Sequence, residues 1–313
     1  MRIGIDIGGT KANIGLLSDG GAVFSRRTEP MSRSEGCPES LKRIARSVRE
    51  MLEEYGMTPR DLSFMGIGVP GTVDEDNRIA LNCPNLGWQN EPCARYFEET
   101  LGVSPLVAQD SRAAALGEYL FGGGQGASLL VLVTLGTGIG GGIIFQGSIF
   151  TGALGTAGEI GHIPVGGDGR VCGCGRVDCA ESHGSGTGIA QNAARHPAFQ
   201  GMSLKSEQIF TLAEDGNRNA IEVIRQSVKG LGQGLVAVVN TLSPDAMIFS
   251  GGLCAQRALY VDPLIAYIRA NAYTLACGDG LRLDVTTLGS DAPMIGAAML
   301  DRAKQGGNKW CGR

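Results

Sequence analysis

No apolar run in this 313-residue chain approaches the ~20 residues that a bilayer-crossing helix needs. The first residues, MRIGIDIGG, pass straight into a strand-like pattern without the apolar region of a secretory leader. The expected location is the cytoplasm, with no membrane partner. Charge of one sign is missing as well: 27 Lys and Arg stand against 31 Asp and Glu, a net charge of −4. That balance recommends neither a nucleic acid nor an anionic membrane as partner. No linker or low-complexity segment divides the chain, so its lobes are expected to interlock rather than follow one another as beads. Tryptophan is scarce, with two residues, one of them Trp88. The nine cysteines are odd in number and, outside one cluster, scattered, which excludes the disulfide framework of a small secreted domain. Cys37, Cys83, Cys93, Cys254, Cys277 and Cys311 are read as reduced thiols.

Hydrophobic residues make up 43% of the chain, enough for an ample core and two compact lobes. Glycine is over-represented, with 50 residues gathered in stretches such as GGT, GTGIGGG and SGGL, where backbone must approach something closely.

The least replaceable residues lie between Gly155 and Ser185. His162 is followed by Cys172, Cys174 and Cys179, three thiolates and an imidazole in one Gly-rich loop, the ligand set of a closed, structural zinc site. Glu159 and Glu181 bracket that set. Ordering such a loop costs about 1–2 kcal/mol per residue, and a bound metal supplies the order. If His162 gives one ring nitrogen to zinc, the other donates to a partner such as a substrate hydroxyl. Glu159, His162 and Glu181 then suit a small polyol or sugar.

Along the chain, residues 2–8 and 12–17 are expected as strands joined by Gly8, Gly9, Thr10 and Lys11, a turn whose amides can cradle an anion. Asp6 stands where a magnesium ion bridging phosphates is held through water. An amphipathic helix is expected over 38–55, with Gly56 as terminator. A buried strand over 63–69 ends in Pro70-Gly71-Thr72, where Gly71 is either part of a plain turn or a close approach to a ligand. The loop from Asn82 to Trp88, with Asn85 in it, is a candidate pocket edge, and Gly71 and Asn85 count as candidate substrate contacts. A strand over 105–109 leads through Asp110 into a helix over 113–121. Asp110 is there either as an N-cap or as a general base projecting from the sheet edge.

Residues 128–134 form an apolar strand, and LGTGIGGG, with Gly136, Thr137 and Gly138, repeats the strand, Gly-Thr turn, strand order of residues 2–17. Two such halves suggest a duplicated fold that binds nucleotide. Helices are expected near 187–195, 206–214 and 217–242, then a strand over 245–250 ending in Gly251-Gly252. A helix (about 263–275), a strand (about 281–288) and a final helix (about 293–304) follow.

With D-x-GGTK, PGT, LGTGIGGG, AGEIGH, CGCGRVDCAE and SGGL in that order, the chain resembles the ROK family of bacterial sugar kinases and repressors over nearly its full length. The resemblance implies an α/β, actin-like (hexokinase-type) fold of two RNase-H-like lobes with a nucleotide and sugar cleft between them. The smaller lobe is expected over 1–112, with a C-terminal helix in 293–313 returning to it, and the larger over 113–292. ATP-dependent phosphorylation of a hexose, usually at the 6-hydroxyl, is implied, with ATP, Mg2+ and a structural Zn2+. Gly8 to Lys11 and Gly136 to Gly138 match the phosphate loops, and Gly251-Gly252 matches the adenosine turn. Asp110 falls on the catalytic base. Glu159, His162 and Glu181 fall on sugar contacts, and His162, Cys172, Cys174 and Cys179 on zinc ligands.

The chain departs from the family pattern twice. Gln109 stands where Asn usually precedes the catalytic Asp, which bears on the identity of the sugar. Asp178 stands where Gly usually precedes the third Cys, which bears on loop shape. Glucose is the default acceptor, with allose, fructose and the N-acetylhexosamines as alternatives. A homodimer or homotetramer is implied. The repressors of the family carry a helix-turn-helix ahead of the first Gly turn, and the five residues before Asp6 leave no room for one. A non-catalytic sugar sensor is the remaining alternative, disfavoured because it has no need of Asp110 and both phosphate loops together.

Overall fold

The computed structural model describes residues 1–167, 169–276 and 280–303. By contacts the chain forms two compact units, one of residues 1–132, 142–157 and the segment from 286 onward, the other of residues 133–141 and 158–285.

In the first unit, the run RIGIDI makes β1 (Arg2–Ile7), with Ile3, Ile5 and Ile7 fully buried. It pairs antiparallel with β2 (Lys11–Leu17), and β2 with β3 (Val23–Pro30). Helix α1 (Cys37–Glu54) buries Leu41, Ile44, Ala45, Val48, Met51 and Leu52 on one stripe, as its three- and four-residue spacing demands. Tyr55 falls outside that stripe: it is the C-cap, half exposed, its hydroxyl donating to the Phe24 carbonyl at 3.2 Å. Strand β4 (Phe64–Val69) runs parallel to β1. Three short strands, β5 (Thr72–Val73), β6 (Ala80–Cys83) and β7 (Trp88–Glu91), form a small sheet of their own. Helix α2 (Cys93–Leu101) leads to β8 (Leu106–Gln109), parallel to β4, and α3 (Asp110–Phe121) follows without a loop. The sheet order is β3-β2-β1-β4-β8.

A second five-stranded sheet starts with β9 (Leu129–Leu135), β10 (Ile139–Phe145) and β11 (Ser148–Ile149). The second unit then supplies α4 (Ala180–Gly184), α5 (Gly186–Arg195), α6 (Ser206–Glu214) and the 25-residue α7 (Arg218–Leu242). After these come β12 (Ala246–Ser250), α8 (Asp262–Asn271), the short α9 (Tyr273–Ala276) and β13 (Arg282–Val285). The order β11-β10-β9-β12-β13 repeats that of the first sheet, third-second-first-fourth-fifth, with an antiparallel outer pair and a parallel last pair.

The expected helix at 263–275 is thus two helices interrupted at Ala272, and the expected final helix is α10 (Ala292–Ala297) followed by a 3-10 turn at Leu300–Arg302. The rest of that expected helix, residues 304–313, lies outside the described residues, as do Cys277 and Cys311. Within the first unit α10 lies directly on β1, β4 and α3. A side chain at Gly4 would run into the Met294 carbonyl, and one at Gly66 into that of Ala297, so these strands admit the helix only because they are bare there. Arg2 fastens the end of this segment, donating to Asp19 (2.7 Å), Asp301 (2.6 Å) and the Ala298 carbonyl (3.2 Å). Among the described residues no helix is long and apolar enough to cross a membrane.

Candidate active site and metal loop

In the first unit, the β1–β2 hairpin closes through Gly8 N–H donating to the Lys11 carbonyl at 2.9 Å, and the Thr10 carbonyl accepts from Met31 N–H at 2.8 Å. The Gly8-Gly9-Thr10-Lys11 turn is thereby held from two sides. Asp6, across the ladder from Asn13, accepts from the Asn13 amide at 3.4 Å. Burial pushes its carboxyl from the ordinary 3.8 to about 6, an effect only partly offset by Asn13 and the charge of Lys11. A desolvated carboxylate beside an open Gly turn is the donor chemistry that suits a hard divalent cation.

Asn85 stands beside that turn: a Cβ on Gly9 would lie 3.7 Å from the Asn85 Cβ. Gly71 has a packing reason to be glycine, since a side chain there would overlap the Asn82 carbonyl in β6. Asp110 is the first residue of α3 and not its N-cap, a position Gln109 occupies with extended backbone. Its Oδ1 accepts from the Ser111 N–H at 2.6 Å, so the carboxylate sits over the amino end of the helix. It also neighbours Cys83, whose thiol burial pushes up to about 12, with Cys93 and the charge of Asp110 adding to the effect.

Arg112, one residue further into α3, is buried and donates to the carbonyls of Gly155 (2.7 Å) and Ala157 (3.1 Å), on the segment leading to Glu159. Sequence reasoning missed it. A cation whose partners are backbone carbonyls 43 and 45 residues away leaves no local signal.

In the second unit, the Gly136-Thr137-Gly138 turn closes through Gly136 N–H to the Gly138 carbonyl at 3.0 Å. Its Gly136 and Thr137 carbonyls accept from Gly186 (2.8 Å) and Thr187 (3.3 Å), satisfying N–H groups that α5 leaves open at its start. Gly251, after β12, abuts the end of β9, where a side chain on it would overlap the Leu135 backbone, so the second and third Gly turns are neighbours. Gly252 opens a 3-10 turn.

His162, Cys172, Cys174 and Cys179 place one ligand atom each within 4.8 Å of all the others. Cys174 Sγ and Cys179 Sγ are 3.7 Å apart, and Cys172 Sγ lies 3.8 Å from His162 Nδ1. A tetrahedron with ~2.3 Å metal–sulfur bonds has edges of ~3.8 Å, so the set fits zinc. The other ring nitrogen, Nε2, faces Glu159 Oε2 at 3.9 Å, too far for a direct hydrogen bond. Glu159 itself is the N-cap of the 3-10 turn Ile160–His162.

The departure at Asp178 has a backbone cause. Its φ is 54°, a left-handed conformation that glycine adopts freely and Asp tolerates. Here the side chain compensates by accepting from the N–H groups of Gly169 (3.2 Å) and Arg170 (2.9 Å), and it faces His183 Nε2 at 3.6 Å. Asp168, beside this contact in sequence, lies outside the described residues.

The family model described as the ROK family matches residues 2–304. A glucokinase of Halalkalibacterium halodurans is 30% identical over 315 residues, covering 97% of this chain and 95% of its own length. A glucokinase of Streptomyces coelicolor is 33% identical over 321 residues, with 96% and 98% covered. Among solved structures, the ROK family glucokinase of Streptomyces griseus in complex with glucose and AMPPNP superposes with a TM-score of 0.79 at 31% identity, over 97% of this chain and 99% of that one.

Proposed function

The chain belongs to the ROK family, and from that premise we propose that it is an ATP-dependent hexose kinase, transferring the γ-phosphoryl group to a sugar hydroxyl. What carries the reading is the match to glucokinases at 30–33% identity along almost the whole chain. The repeated strand order supports the two RNase-H-like lobes of a hexokinase-type fold, the first sheet being complete at Gln109 and the second starting at Leu129. Lobes over 1–112 and 113–292, with the segment after 293 returning to the first, are our division.

In the proposed step the 6-hydroxyl oxygen attacks the γ-phosphorus, the bond from phosphorus to the β,γ-bridging oxygen breaks, and ADP leaves. Asp110 accepts the hydroxyl proton. Gly8 to Lys11 and Gly136 to Gly138 offer amides to the phosphates, while Gly251 and Gly252 take the adenosine. Glu159, His162 and Glu181 hold the sugar hydroxyls, with Asn85, Gln109 and the backbone of Gly71 as further contacts. Asp6 would hold magnesium, which would neutralise phosphate charge. His162, Cys172, Cys174 and Cys179 would hold zinc, which would order the loop. Glucose is the proposed acceptor, and a cytoplasmic homodimer or homotetramer the proposed state.

The test is ADP release from ATP and Mg2+ against a panel of hexoses and N-acetylhexosamines, with zinc content measured on the same preparation. Turnover with one sugar supports the kinase and names the acceptor. Zinc-replete protein that binds a sugar without turnover would replace this reading by a non-catalytic sensor.

A further inference from the structure

Glu181 has a second set of contacts besides the sugar role just proposed. Its Oε2 accepts from the Ile139 N–H, immediately after the Gly136-Thr137-Gly138 turn, at 2.9 Å, and its Oε1 lies 3.3 Å from Cys172 Sγ. The turn is shaped around this carboxylate, since a Cβ on Gly138 would come within 2.5 Å of Oε2. The backbone of Glu181 follows Cys179 by two residues, so the metal ligand at the head of α4 governs where the carboxylate points. The segment before it is stitched down as well, with Ala180 N–H donating to the Ile163 carbonyl at 2.9 Å. On the far side the turn leans on α5, which begins directly after Ser185 and Gly184 at the end of the same α4.

We infer that Glu181 is a positioning residue for the nucleotide turn, joining the metal loop to residues 136–139, so that zinc occupancy governs nucleotide binding as well as sugar binding. This rests on the kinase reading. A loop that served sugar alone would leave nucleotide affinity largely intact when stripped of metal. The bridge through Cys179, Glu181 and Ile139 carries the loss of order into the phosphate turn.

The test measures binding of a non-hydrolysable ATP analogue, without sugar, to the full-length protein by calorimetry. Glu181→Ala with zinc content intact should weaken binding about tenfold or more, because a backbone N–H loses a charged acceptor. Glu181→Gln keeps an acceptor for Ile139 N–H and should bind the analogue within about threefold of wild type, though its sugar affinity falls. A substitution that merely lost a sugar contact would not move nucleotide affinity at all. Hydrogen exchange at residues 136–139 of the wild-type protein provides a measure independent of any variant's folding, and protection there should drop on zinc removal. Unchanged analogue affinity in zinc-replete Glu181→Ala, or unchanged protection at 136–139 after metal removal, overturns the inference. Sugar-dependent ADP release by the wild type tells these outcomes apart from failure of the kinase reading itself.

Discussion

Replacing Asp6 by Asn should stabilise the ligand-free protein at neutral pH while impairing its chemistry. The carboxyl titrates near 3.8 in the unfolded chain and near 6 in the fold, where burial disfavours its charge. Below pH 3.8 both states hold the proton and the native state has its full stability. As pH rises, the unfolded chain loses its proton first, and native stability declines until the folded carboxyl has also ionised, just above pH 6. At about 1.4 kcal/mol per pH unit, the interval from 3.8 to about 6 corresponds to about 3 kcal/mol lost by pH 7. Asn has no proton to lose and keeps an oxygen for the Asn13 amide, so the variant escapes the decline. Urea unfolding of both proteins, without nucleotide or divalent cation, should give similar stabilities at pH 4 and a gap of up to about 3 kcal/mol at pH 7.5. Magnesium with nucleotide should narrow the gap by stabilising only the wild type. A gap equal at both pH values, or none at pH 7.5, would refute the reasoning.

Asp110→Asn should lower kcat by about 10²–10⁴-fold with little change in KM, since a positioned base acts in the transition state, and steady-state kinetics with the best sugar checks it. Asp178→Ala should weaken zinc binding about thirtyfold by removing two loop hydrogen bonds worth about 2 kcal/mol together. Asp178→Asn, which tolerates the left-handed backbone but keeps an acceptor for only one of the two N–H groups, should fall between wild type and Asp178→Ala, and competition with a chromophoric chelator measures both. Arg112→Met should free the carbonyls of Gly155 and Ala157 and raise the sugar KM about tenfold, with nucleotide KM unchanged, read from paired substrate titrations.

Much of this arrangement was legible from residue order, because the legible parts have local causes. Both Gly-Thr hairpins are announced by apolar strands on either side, α1 by its buried stripe, and the His-Cys loop by four side chains able to ligate a metal within a span of eighteen residues. What escaped has distant causes or too little length. Strand β3 alternates half-buried and exposed residues, with Arg27 and Glu29 on the half-buried face and Phe24 on the open one, so VFSRRTEP does not look like sheet. Strands β5, β6 and β7 are two to four residues long, too short for any period to register. The positive φ of Asp178 and the reach of Arg112 depend on partners that only the folded chain brings close. At Gln109 the sequence signalled a departure from the family, and the fold gives it a place as N-cap of the helix that Asp110 begins.

The seating of α10 against β1 and β4 also bears on how the protein is made. During synthesis the first sheet has all its strands by residue 109, yet the bare patches at Gly4 and Gly66 await a helix that begins at residue 292. A nascent chain must therefore hold an incompletely covered core from the completion of the sheet at residue 109 until the helix at residue 292 has been made, a period in which chaperone contact is most useful. The same closure brings Arg2 to Asp301, so a circular permutant that links the segment after α10 to β1 and is opened at a turn upstream of α10 would deliver α10 to the ribosome exit before β1 and β4. Such a molecule should reach its native state with less dependence on folding assistance than the natural order of segments allows.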